Sequence, residues 1–142
     1  MKKLAILLLI ILSGTVLFAQ TIIPKKANTI IISGDLNQAD FYAKIADILF
    51  DNGYGLQSSD KALGSLTTTS RGIKSGNFQV MFTVLVKDNK ATLRGQWKSE
   101  ELKFDWLIIE YGGQKGSMKM ITWNEMINLA NQIPGTKEYL IK

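Results

Sequence analysis

FQVMFTVLVKDNKATLRGQW, Phe78 to Trp97, alternates apolar and polar side chains on both sides of one turn signal. Phe78, Val80, Phe82, Val84 and Val86 recur with period two, which puts them on one face of an extended strand. Gln79, Met81, Thr83 and Leu85 share the other face. With Asp88-Asn89 as a two-residue turn, Val86 faces Ala91, Val84 faces Leu93, Phe82 faces Gly95 and Val80 faces Trp97. On the reverse side Thr83 meets Arg94 and Gln79 meets Lys98. A slip of one residue would turn Arg94 and Lys98 toward the apolar side, so the pattern specifies its own register. Met81 and Leu85 are then apolar residues opposite the core, on a face that needs a cover.

Outward from this hairpin, Asn28 to Ser33 (NTIIIS) reads as a first strand. The segment GDLNQADFYAKIADILFDNGYG reads as a helix, with Asn37 as amino-terminal cap or Asp35 and Gln38 as an alternative capping box, and Asn52-Gly53 as its stop. Phe41, Ile45, Ile48 and Leu49 form its apolar stripe, with Ala46 and Tyr42 at the margin, so the helix should cover a sheet. Tyr54 to Ser58 and Leu66 to Thr69 read as short edge or rim strands, and Arg71 to Asn77 as a loop. Beyond the hairpin, KSEELKF reads as a connection and Asp105 to Tyr111 (DWLIIEY) as a strand with Leu107, Ile109 and Tyr111 inward. Ser117 caps a second helix running to about Ile133, and Pro134-Gly135 ends it. Residues 136–142 read as a carboxyl-terminal tail or short strand.

The amino terminus, MKKLAILLLIILSGTVLFAQ, joins a basic start to an apolar run and a Phe-Ala-Gln exit. It reads as a secretory signal peptide over residues 1–19, followed by a short leader, 20–27, and a single domain over 28–135. The expectation is a periplasmic or secreted protein with no stable membrane span after cleavage. The chain contains neither cysteine nor histidine. Disulfides, thiolate metal sites, lipid attachment through cysteine and every histidine-dependent catalytic arrangement are thereby excluded. The net charge of +5 falls to +3 without Lys2 and Lys3, and the lysines are dispersed, so nucleic acid is not an expected partner.

Carboxylates are the remaining route to catalysis. Asp35, Asp40 and Asp47 flank the first helix, Glu100 and Glu101 are adjacent, and Glu110 and Glu125 stand apart, but no pair is spaced for a cleft. RGIKSGN and GGQKGS each contain glycines that could gather an anion, without Walker or dinucleotide spacing. The chain is therefore expected not to be an enzyme and to need no cofactor or metal. Met81, Leu85, Trp106 and Ile108 are the candidate partner-binding residues, serving a protein partner or a homodimer. Tyr42, Trp97 and Trp123 are the candidate lining of a cavity for a small apolar ligand, or else core.

NTIIISG, LFDNGYGLQSSDKALGSLTT, the central hairpin and GSMKMITWNEMINLANQI, in that order, resemble the TBP-like or helix-grip α+β architecture. They also look similar to small exported Bacteroidetes domains of unknown function. The resemblance covers nearly all of the chain beyond the leader. It implies a curved antiparallel sheet packed against two helices in the order β-α-β(4-5)-α, and functions ranging from ligand carriage to envelope accessory binding. Only one copy of the unit is present, so the resemblance does not extend to a duplicated DNA-binding saddle. The functional expectation is a non-catalytic envelope or secreted binding domain using an apolar sheet face. Alternatives are a small-molecule carrier with a sheet-helix cavity and a carboxylate-dependent hydrolase.

Overall fold

The computed structural model describes residues 22–73, 77–101 and 105–142. The expected signal peptide and the first two leader residues lie outside the described residues. Strands β5 (Phe78–Lys87) and β6 (Lys90–Ser99) form the central hairpin, paired from Phe78 opposite Ser99 to Lys87 opposite Lys90, in the register read from the sequence. Asp88 and Asn89 turn at φ of 50° and 60°, the left-handed pair a type I′ hairpin requires.

Around the hairpin, β1 (Thr29–Ser33) pairs with β6, and β8 (Thr136–Leu140) pairs with β1. On the other side β3 (Ser65–Thr68) pairs with β5, and β2 (Leu56–Asp60) pairs with β3. Two short strands complete the sheet: β4 (Arg71–Ile73) on β5 and β7 (Leu107–Ile108) on β6. All pairings are antiparallel.

Helix α1 (Gln38–Asp51) begins where the Asn37 side chain accepts from the Asp40 amide at 3.0 Å. Helix α2 (Met118–Gln132) begins at Ser117, whose hydroxyl accepts from the Met120 amide. Both caps satisfy amides that have no partner inside the helix. The helices lie on the same face of the sheet, α1 against β5 and α2 against β6, and they touch each other. Phe41, Ile45 and Leu49 of α1, and Trp123, Met126 and Ala130 of α2, bury themselves against Ile30, Ile32, Val80, Phe82, Val84 and Leu93. Each valine, leucine, isoleucine, phenylalanine or methionine among them contributes about 1.5–3 kcal/mol of apolar burial.

This arrangement corrects the curved, TBP-like or helix-grip expectation. The sheet is open, running from β2 to β8, and does not curve or close around a helix. The two helices lie side by side across one face, and the sheet extends past β1 to β8. Among the described residues six strands, rather than four or five, separate the helices, because Arg71–Ile73 forms a strand where the sequence reads as a loop. Conversely, DWLIIEY contributes only two strand residues. The chain bends away after Ile109 so that Tyr111 can exchange backbone hydrogen bonds with Lys26 and Ala27, at 2.8 and 2.7 Å. Of its expected inward residues, Ile109 is fully buried and Tyr111 packs at the core margin, whereas Leu107 at the strand start stays 43% exposed.

Candidate functional site

Two seams interrupt the sheet. Along one edge of β6, β7 pairs with Gln96 and Trp97 and β1 takes over at Arg94, both running in the same direction. Between them the Ile109 amide donates to the Gly95 carbonyl at 2.9 Å. Gly95 faces the core, where a Cβ would lie 2.6 Å from Ile109 Cδ1 and 2.9 Å from the Phe82 ring, so glycine lets Ile109 close the seam from within. Along the outer edge of β5, Thr67 faces Thr83 and Arg71 faces Val80. Four steps there oppose three, a bulge that leaves one residue extra. The Thr68 hydroxyl fills the gap in the ladder by accepting the Phe82 amide at 2.9 Å.

The seam on β6 opens a hollow of about 310 Å³ on the sheet face opposite the helices. Two cross-strand rows form its floor. In one, Ile108, Gln96 and Met81 stand side by side on β7, β6 and β5. In the next, Arg94 and Thr83 stand on β6 and β5, with Thr29 of β1 buried beside Arg94 and outside the lining. Two residues of strand separate the rows, about 7 Å. The Arg94 Nε donates to the Thr29 hydroxyl at 3.3 Å, which steadies the guanidinium over the sheet. Among the described residues Arg94 has no carboxylate partner, and no acidic residue lines the hollow. Asn28 and Lys142 complete the wall, bound to each other reciprocally at 2.7 and 3.0 Å.

Of the expected partner-binding residues, Met81 and Ile108 come together in this hollow, Ile108 being 58% exposed. Leu85 lies two rows away, opposite Thr92 and Ser65 and about 13 Å along the strand from Met81. Trp106 lies outside the hollow, with the Lys98 ammonium 5.0 Å from its ring centre. The face is therefore mixed rather than apolar: threonines, glutamines and cations surround isolated apolar residues. Tyr42, Trp97 and Trp123 all belong to the hydrophobic core. Trp97 packs edge-on against Phe78, Trp123 lies tilted against Tyr111 and Tyr139, and none of the three lines this hollow.

Sequence reasoning missed a polar cluster at the opposite side of the molecule. Glu125 on α2 accepts from the Tyr54 hydroxyl at 2.7 Å and pairs with the Arg71 guanidinium at 2.9 Å. Arg71 also donates to the Asn52 carbonyl and lies 4.5 Å over the Tyr54 ring, while its Nε is buried without a partner among the described residues. Burial, reinforced by the hydrogen bond and negative charge of Glu125, pushes the Tyr54 hydroxyl far above a tyrosine's ordinary value. The cluster ties the end of α1, β4 and α2 together. No local pattern announces it, since its members come from three separate segments.

The other acids considered for catalysis are dispersed. Glu100 accepts from Gln79 at 2.9 Å, Asp40 from Asn37 at 2.7 Å, and Glu110 pairs with Lys119. Among the described residues no three acids gather into a group able to hold a metal ion. The GGQKGS connection turns through left-handed Gly113 and Gly116 into the Ser117 cap. Lys74 to Gly76 of the other glycine segment lie outside the described residues. Among the described residues no helix is long and apolar enough to cross a membrane.

Neither protein-family models nor curated proteins yield a match to this chain. No family model or curated protein therefore supports the resemblance to exported Bacteroidetes domains, and its helix-grip component is overturned by the open sheet.

Proposed function

We propose that the chain is a non-catalytic binding domain whose recognition surface is the open face of its sheet, centred on the hollow between Met81 and Ile108. The observation that supports it most is the one-sided packing of the helices. Among the described residues it leaves the opposite face uncovered, where apolar side chains stand beside a guanidinium and amide and hydroxyl groups without ionic partners. Small-ligand sites combine apolar walls with a few placed polar groups in this way. This surface replaces the purely apolar face expected from periodicity, because Met81 and Ile108 flank Gln96 instead of forming a continuous patch.

The test is a titration of ¹⁵N-labelled protein with a mixed set of small carboxylates, amines and neutral apolar fragments. Amide shifts clustering on Met81, Thr83, Gln96 and Ile108 are expected. Shifts clustering on the helices or on the Arg71–Glu125 cluster, with none at the hollow, would overturn the proposal.

A further inference from the structure

Resting on that reading of the open face, we infer that the hollow receives the carboxyl-terminal residue of a peptide bearing an apolar side chain. Three groups have free hydrogen-bonding capacity toward it among the described residues: the terminal nitrogens of Arg94, the Gln96 amide and the Thr83 hydroxyl. Only the Nε of Arg94 is engaged, by Thr29, so its two outer nitrogens present a fork suited to a carboxylate. Charge complementarity supports this assignment through Arg94: its guanidinium lines the hollow, and among the described residues no Asp or Glu side chain does.

The neighbouring row selects among carboxylates. Met81 and Ile108 offer apolar contact on either side of Gln96, whose amide can both donate and accept. An aliphatic chain would leave that amide unpartnered, whereas a peptide bond one residue in from a carboxylate can pair with it. The spacing agrees, because the carboxylate of a terminal residue and its preceding amide span less than the roughly 7 Å between the two rows. The volume of about 310 Å³ admits one such residue and its amide. Asn28 is already bound to the Lys142 backbone and acts as wall.

Acetyl-alanyl-leucine with a free carboxylate, the same peptide as its carboxamide, and hexanoate distinguish the alternatives in amide-shift titrations of the wild-type protein. The free carboxylate is expected to bind at Met81, Thr83, Gln96 and Ile108 about tenfold more tightly than the carboxamide, and more tightly than hexanoate. Arg94→Gln, with its fold verified by circular dichroism, should erase the difference between peptide and carboxamide. Equal binding of the two by the wild type would overturn the carboxylate assignment while leaving the hollow as a binding surface. Tighter binding of hexanoate would overturn the peptide in favour of a fatty acid. No shift at the hollow with any probe, at concentrations on the order of 10 mM, would overturn both the inference and the reading beneath it.

Discussion

Tyr54 shows how one side chain links burial to solution behaviour. Its hydroxyl donates to Glu125 in a buried setting, and its pKa is raised well above the ordinary value near 10. The unfolded chain releases this proton above about pH 10, whereas the folded protein keeps it. The contribution to stability is thus fully present below pH ~10 and declines as pH rises beyond that toward the folded value. Tyr139, raised by burial, acts in the same direction. Urea unfolding between about pH 8 and pH 11 should show wild type losing stability more steeply than Tyr54→Phe, by up to about 1.4 kcal/mol per pH unit. Parallel profiles would mean that the hydroxyl is not held. Glu125, Arg71 and Tyr54 were each visible in the sequence only as an acid, a loop cation and a strand aromatic. What joins them is the packing of α2 against the chain that leaves α1.

Among the elements, the central hairpin and both helices were legible because their determinants are local. Period-two alternation set the faces of β5 and β6, Asp88 and Asn89 accepted left-handed backbone, and Asn37 and Ser117 capped the helices. β4 was not legible, because RGI has little strand character of its own and pairs only once β3 and its bulge have brought it beside β5. Thr68 at that bulge carries a specific expectation. Thr68→Val keeps the shape but leaves the Phe82 amide without its acceptor, which should cost about 1–3 kcal/mol and speed hydrogen exchange at that amide. Thr68→Ser, which retains the hydroxyl, should lie close to wild type in both measurements. Unchanged exchange in Thr68→Val would show that water or backbone replaces the hydroxyl.

At the scale of the whole molecule, the one-sided sheet predicts opposite responses on its two faces. Leu93→Ala on the helix-covered face should cost about 2–5 kcal/mol, whereas Met81→Glu and Ile108→Glu should each stay within about 1 kcal/mol of wild type by urea denaturation. Unfolding of either glutamate variant would place that residue in a core. By itself the sequence determined the hairpin, its register, the two helices and the Ser117 cap, and that Met81 and Leu85 would stand opposite the core; between Asn37 and Asp35 as the other cap the structure decided. These properties depend on periodicity and on backbone preferences of neighbouring residues. Only the tertiary structure decided that the sheet stays open, that β7 and β1 meet on one edge of β6, and that Met81 and Ile108 share a hollow with Arg94 while Leu85 and Trp106 do not. Those outcomes depend on which distant strands lie side by side, and alternation fixes the face of a side chain without naming its neighbours.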